Sequence, residues 1–152
     1  MAKGAGSTCK ATVGAMVSPM EPIVLDLPRG GEVEITLGVL DESAEYVFSA
    51  GHCHALALAI HERTGWPLLA MSGRHSLRAN LQHMVVVMPD GKWLDVNGPQ
   101  EPEERYYFQS MTAAEVAKMG KIEYWKNPQT EIAREFVQPV FERYGLLKLL
   151  KG

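Results

Sequence analysis

Hydrophobic and polar residues alternate in two stretches of the chain, 22–27 and 32–40. In the second stretch Glu and Thr side chains alternate with Val, Ile and Leu, which predicts a strand with one solvated face and one packed face. The segment 28–31 between them contains two glycines and indicates a hairpin-like connection. The folded part of the chain is therefore expected to begin with two neighbouring strands.

The stretch from Cys53 to Gly65 is typical of a helix, because Ala, Leu and Ile fill its interior and a glycine ends it. Ser49 and Gly51 are the candidates for the N-cap. Cys53 then belongs to the first turn, where backbone N–H groups have no intrahelical acceptor. The positive end of the helix dipole favours a thiolate at that position.

Residues 83–97 predict the clearest hairpin, because an Asp-Gly turn at 89–91 separates two alternating runs. A three-residue loop of this kind fixes the register of the two strands. It places His83 directly across from Asn97 and diagonal to Asp95, with all three on one face. The opposite face is wholly apolar and must be covered.

Shorter patterns predict the remaining elements. They are a loop or short turn at 41–49, a strand at 66–71, a polar loop at 72–82, a helix opened by the capping box at 112–115 and ended by Gly120, a strand at 121–126, and a final helix from Asn127 that Pro139 kinks or breaks. Residues 1–19 are rich in small residues without periodicity and predict a flexible leader. Residues 20–152 predict a single α+β domain with a C-terminal helix.

Composition excludes several classes of partner. The 152 residues are 46% hydrophobic and 22% charged with a net charge of −3, and no run of basic residues indicates nucleic-acid binding. No apolar run approaches the roughly 20 residues that span a bilayer, so no membrane association is expected. Two cysteines do not make a disulfide scaffold and favour a reducing, cytoplasmic location.

Cys53, His83 and Asp95 are the residue types of a thiol nucleophile, a general base and an orienting group. Sulfur attacks as a thiolate, and imidazole holds a proton near neutral pH. A carboxylate on the second ring nitrogen fixes the tautomer, and the amide of Asn97 competes with Asp95 for this role. We therefore expect a cysteine-dependent site with no metal and no cofactor.

Stabilising an oxyanion at this site requires further donors. The backbone N–H of Cys53 or His54 is one candidate, and the side chains of His52, Ser49 and Gln82 are others. Trp93, on the His83 face of the predicted hairpin, is expected either in the core or along the wall of a substrate cleft.

The order of Cys53 on a helix, His83 at the start of a strand and Asp95 on the next strand, with an Asp-Gly turn between the strands, resembles the papain-like superfamily. The closest likeness is to its transglutaminase-like, arylamine N-acetyltransferase-like and NlpC-like branches. The resemblance implies a papain-like fold in which the cysteine helix packs on an antiparallel sheet. It also implies a Cys-His-Asp triad and acyl chemistry on an amide, isopeptide or thioester bond, with a peptide, a protein or a small acyl donor as substrate.

Two other hypotheses fit the same residues. In one, Cys53 is a structural residue and the same fold is a non-catalytic module that binds a protein partner. In the other, His52, Cys53, His54 and His83 bind Zn²⁺. His61 cannot join such a site together with His54, because two helical turns separate the two residues by about 10 Å.

Overall fold

The computed structural model describes residues 22–27, 30–50, 52–72, 81–103, 107–119 and 130–150. Within these residues the chain has α+β architecture, with a two-stranded sheet, a five-stranded antiparallel sheet and several helices. The predicted leader 1–19, the predicted strand 121–126 and most of the predicted loop 72–82 lie outside the described residues.

Two antiparallel strands precede the helices, as the alternating pattern predicts. Strand β1 (Pro22–Asp26) pairs with strand β2 (Glu32–Thr36), and Leu25 and Ile35 are buried beneath them. The second strand is shorter than predicted because the chain turns after Thr36, where Gly38 has a φ of +79°. That conformation is natural for glycine and ends the strand.

Helix α1 (Glu42–Ala50) replaces the loop that was predicted for this segment. Asp41 caps it, because the Asp41 Oδ1 atom accepts the N–H of Ala44 at 3.0 Å. Ala44, Val47 and Phe48 are fully buried at helical spacing. The predicted loop or short turn is therefore wrong here, and the acidic residues Glu42 and Glu45 in the first turn favour a helix N-terminus.

Helix α2 (Cys53–Thr64) is the predicted cysteine helix, and Gly65 ends it with a φ of 76° and an N–H bond to the carbonyl of His61. His52 occupies the N-cap position without a capping side-chain bond. Ser49, one of the two predicted caps, instead lies in the last turn of α1 and is exposed. Every residue from Cys53 to Ile60 is buried, so α2 is the central helix of the molecule.

The five-stranded sheet has the order β6-β5-β4-β3-β7. Its strands are β3 (Leu68–Ser72), β4 (Leu81–Val87), β5 (Trp93–Asp95), β6 (Gly98–Gln100) and β7 (Tyr107–Met111). The predicted hairpin is β4 and β5, and its register is confirmed where Val87 pairs with Trp93. The two edge strands, β6 and β7, were not predicted.

Helix α2 lies between this sheet and helix α4 (Thr130–Arg143). One face of the β4–β5 hairpin joins α2 and α4 in the main core, as its apolar pattern predicts, through Met84, Val86, Met88, Leu94 and Val96. Helix α4 continues through Pro139, so Pro139 does not break the helix, and the alternative prediction of a kink stays a prediction. Burial of Phe136 and Phe141 on either side of Pro139 holds the helix together.

The capping box that was predicted at 112–115 is confirmed. Thr112 and Glu115 exchange two hydrogen bonds, of 2.9 and 3.1 Å, at the start of helix α3 (Ala113–Met119). A 3₁₀ helix (Leu147–Leu150) ends the described chain. In the part of the chain that the structure describes, no helix has the length and apolar character needed to cross a membrane.

Candidate active site

The side chains of His83 and Asp95 meet on neighbouring strands, as the hairpin register predicts. The Nε2 atom of His83 lies 2.6 Å from Oδ2 of Asp95. Asp95 is 6% exposed, and a buried carboxylate requires such a partner. The competing residue, Asn97, is exposed and contributes its backbone N–H to Asp95 at 2.8 Å. Between the two candidates, the geometry brings Asp95 to the ring.

A residue that sequence reasoning missed completes the surroundings of this carboxylate. Gln100, on edge strand β6, donates from Nε2 to Oδ1 of Asp95 at 2.7 Å and to the carbonyl of Gly98 at 3.1 Å. Pro99 made this segment look like a loop, but an edge strand tolerates proline because its outer N–H needs no partner. The sequence feature that could have indicated strand β6 is Gly98, which permits the tight reversal from β5 to β6.

Cys53 reaches the same histidine from the other side. It is the first residue of α2, it is a free cysteine, and it is 3% exposed. Hydrogen bonding to Cys53 and the charge of Cys53 are among the causes that raise the pKa of the His83 ring, so the two side chains are neighbours. Because Nε2 of the ring is bonded to Asp95, Nδ1 is the nitrogen that remains for the sulfur. The structure therefore brings together the three residues that sequence reasoning selected.

The protonation of His83 follows from these contacts. Burial lowers the pKa of the ring, but the hydrogen bonds to Asp95 and Cys53, together with the charges of both groups, raise it from 6.5 to about 10. The ring is thus an imidazolium at neutral pH.

The two histidines that flank Cys53 have a different character. Nε2 of His52 lies 2.7 Å from the carbonyl oxygen of Asp26 in β1, so this nitrogen carries the ring proton. The Nδ1 atom on the other side of the ring is buried and has no hydrogen-bond partner among the described residues. His54 is 1% exposed, and burial, followed by the charge of His52, lowers its pKa to about 3. His54 is therefore neutral at physiological pH.

The remaining oxyanion candidates are backbone groups. The carbonyl of His52 accepts the N–H of Ala55 at 3.0 Å and that of Leu56 at 3.3 Å, which are the first helical bonds of α2. The N–H groups of Cys53 and His54 precede these bonds and have no intrahelical acceptor. They are the donors closest in the chain to the sulfur.

Two further predicted site residues lie on the same hairpin. Gln82 precedes His83 on β4, and only its backbone is described. Trp93 is 7% exposed, belongs to a second apolar cluster and contacts the ring of Phe108 edge-on, with centroids 5.8 Å apart. Trp93 is therefore a core residue of the sheet and does not line an open cleft.

A metal centre was the alternative use of these side chains. In the described ranges, no three His, Cys, Asp or Glu side chains are grouped so that they could hold a metal ion. Within the described residues, the set His52, Cys53, His54 and His83 thus does not form a coordination site.

Comparison with known proteins identifies no relative of this chain. No family model matches it, and neither a curated protein nor a solved structure matches it. Function is therefore inferred from the geometry of the site.

Proposed function

We propose that the protein is a cysteine-dependent hydrolase or acyltransferase that acts on an amide, isopeptide or thioester bond. Cys53 is the nucleophile, His83 the acid and base, and Asp95 the group that orients His83. One observation supports this assignment above all others: the imidazole that is bonded to a buried carboxylate also has its pKa raised by the thiol at a helix start.

The charge state of the site suits this chemistry. With the His83 pKa raised to about 10, the ring holds its proton at neutral pH. Cys53 lies at the positive end of the α2 dipole. The ring proton is thus available for the leaving group.

In the first step the Cys53 sulfur attacks the carbonyl carbon of the substrate and forms a C–S bond. The C–N or C–S bond to the leaving group breaks, and the His83 imidazolium gives that group its proton. In the second step water or another acceptor loses a proton to His83 and attacks the thioester. The bond between the acyl carbon and the Cys53 sulfur breaks, the acyl product leaves, and the His83 ring is protonated again. The N–H groups at the start of α2 stabilise both oxyanions.

The architecture is consistent with the papain-like superfamily, to which we propose the chain belongs. A helix that begins with the cysteine packs on an antiparallel sheet whose neighbouring strands supply the histidine and the carboxylate. The side chain of His83 is 22% exposed whereas Cys53 is 3% exposed. We infer that the substrate approaches from the His83 side.

The burial of Cys53 also favours a second candidate, a non-catalytic binding module in which this thiol is structural. Alkylation distinguishes the two functions. Iodoacetamide modification of Cys53 and of Cys9, the second cysteine in the chain, is followed by peptide mass spectrometry from pH 5 to 9. The urea-unfolded protein serves as the reference for each thiol.

A nucleophilic Cys53 is alkylated at pH 6 faster in the folded than in the unfolded protein, and His83→Ala removes the difference. A structural Cys53 is protected at every pH until the protein unfolds, and this result would exclude the enzyme. Electrophilic acyl probes then test the acyl step, because a stable mass increase on Cys53 that Cys53→Ala abolishes reports the thioester.

A further inference from the structure

The carboxylate of Asp95 is held by more than the histidine. Its Oδ2 atom faces Nε2 of His83 at 2.6 Å, and its Oδ1 atom accepts the Asn97 N–H at 2.8 Å and Nε2 of Gln100 at 2.7 Å. Two donors on one oxygen fix the plane of the carboxylate. The other oxygen is then left pointing at the imidazole.

We infer that Gln100 is a positioning residue of the site, which acts on His83 through Asp95. The inference rests on the proposed function for its catalytic consequence, but the contacts themselves do not depend on that function. Gln100 lies on β6, the strand next to the one that bears Asp95, so its side chain reaches the carboxylate from the edge of the sheet.

Both protons of the Gln100 side-chain amide make hydrogen bonds. One goes to Oδ1 of Asp95, and the other goes to the carbonyl of Gly98 at 3.1 Å. Because both neighbours are acceptors, the reverse orientation would place the amide oxygen against two other oxygens. The chemistry of the neighbours therefore fixes the amide group, and the fixed amide in turn fixes the carboxylate.

The two donors on Oδ1 are not equivalent. The Asn97 N–H belongs to the turn that follows Asp95 and forms wherever that turn forms. The second donor is the side-chain amide of Gln100, so a substitution can remove it and leave the backbone unchanged. Its loss leaves Asp95 free to rotate away from His83, which breaks the ring contact part of the time.

The test compares Gln100→Met, which keeps the length of the side chain and removes the donor, with Gln109→Met as the matched control. Gln109 is exposed on β7 at the opposite edge of the same sheet. The readout is the proton NMR resonance of the His83 Nε2–H, which a short bond to a carboxylate protects from exchange with water. The measurement is made in the Cys53→Ala background, so it does not depend on whether Cys53 is a nucleophile.

We expect the exchange of the His83 Nε2 proton to accelerate by about tenfold in Gln100→Met, the value of one hydrogen bond to a charged group, and to be unchanged in Gln109→Met. Gln100→Asn, whose amide is too short to reach Oδ1, should give the same acceleration. With Cys53 present, alkylation at pH 6 should fall by about the same factor.

Equal exchange rates in wild type and both Gln100 variants would overturn the inference, and so would the unfolding of both variants by circular dichroism, since Gln100 would then serve the fold alone. The proposed function fails separately. Absence of enhanced Cys53 alkylation in the wild type, with exchange still sensitive to Gln100, would leave the positioning role intact and remove its catalytic meaning.

Discussion

Two regions of the molecule shift the pKa of a histidine in opposite directions. One is the hairpin end, formed by His83, Asp95 and Gln100 on strands β4, β5 and β6. The other is the start of α2, with His52 and His54. Both regions bury imidazole rings beside Cys53. At the hairpin end the pKa of His83 rises to about 10, and at the helix start the pKa of His54 falls to about 3. Burial disfavours the imidazolium in both places.

What differs is the neighbouring charge. His83 faces the Asp95 carboxylate at 2.6 Å, whereas the His54 ring lies beside another imidazole, that of His52, with ring centroids 6.3 Å apart. The comparison teaches that a buried ring keeps a proton only where an anion is held beside it. In the proposed function, the hairpin end therefore supplies the acid–base group and the helix start positions the sulfur.

The largest expected effect comes from removing the hairpin-end ring. His83→Ala should lower the rate of Cys53 alkylation at pH 6 on the order of 100-fold, because an ordinary thiol is almost fully protonated there. Asp95→Ala should lower it by about tenfold, since the ring remains but loses its partner. His54→Leu should change the rate by less than about threefold. If His54→Leu lowered the alkylation rate as much as His83→Ala does, the distinction between the two regions would be wrong.

The turn that supports the hairpin end offers the next test. Gly98 has a φ of +98°, and a Cβ atom there would lie 2.7 Å from the ring of Tyr144, whose hydroxyl donates to the carbonyl of Val96. Gly98→Ala should therefore lower the free energy of unfolding by about 3 kcal/mol through strain and overpacking.

Gly65 at the end of α2 is the control for Gly98, because its φ is +76° and nothing lies within 4 Å of a Cβ there. Gly65→Ala should lower the free energy of unfolding by about 1 kcal/mol through strain alone. Urea unfolding measures both variants. Equal losses would show that the Tyr144 ring moves aside without cost and does not hold the turn.

Local patterns account for the parts of the fold and site that were predicted. Helical spacing and Gly65 define α2, and the Asp-Gly turn fixes the register that brings His83 to Asp95. These features depend on residues close together in the sequence. Once the helix packs on the hairpin, the position of Cys53 in its first turn follows.

The parts that were not predicted depend on contacts between distant residues. The hydrogen bond between the His52 ring and the Asp26 carbonyl joins residues 26 positions apart, and no periodic pattern in the sequence predicts it. Helix α1 is short and polar at its start, so burial of its inner face decides its structure. Strand β6, with Gln100, is only three residues long and contains Pro99, so its pairing with β5 determines its conformation.

The free energy of unfolding should decline at alkaline pH because of His83 and at acid pH because of His54. The folded pKa of His83, about 10, exceeds its ordinary value of 6.5, so its contribution is fully present below pH 6.5 and declines as the pH rises towards 10. The folded pKa of His54, about 3, is below 6.5, so its contribution is fully present above pH 6.5 and declines as the pH falls towards 3.

Each slope is at most about 1.4 kcal/mol per pH unit. Urea unfolding at pH 4.5, 6.5 and 8.5 measures both. His83→Ala should remove the alkaline decline and leave the acid decline, and His54→Leu should do the reverse. A single variant that flattens both sides would contradict the assignment of one slope to each region.

The smallest expected effect tests whether the helix start is structural. His52→Phe keeps a ring in the buried space but removes the donor to the Asp26 carbonyl, which should lower the free energy of unfolding by about 1–2 kcal/mol. His61→Phe is the matched control, since Nδ1 of His61 lies 2.7 Å from the Trp66 carbonyl at the other end of α2. Because His61 is only half-buried, its loss should cost less.

Neither substitution should change Cys53 alkylation at pH 6 by more than about twofold, because the protonated ring beside the thiol is that of His83. The measurement combines urea unfolding with the alkylation rate of each variant. If His52→Phe slows alkylation as much as His83→Ala does while His61→Phe leaves it unchanged, the imidazole that activates the thiol belongs to the helix start. The roles given to the two regions would then have to be exchanged.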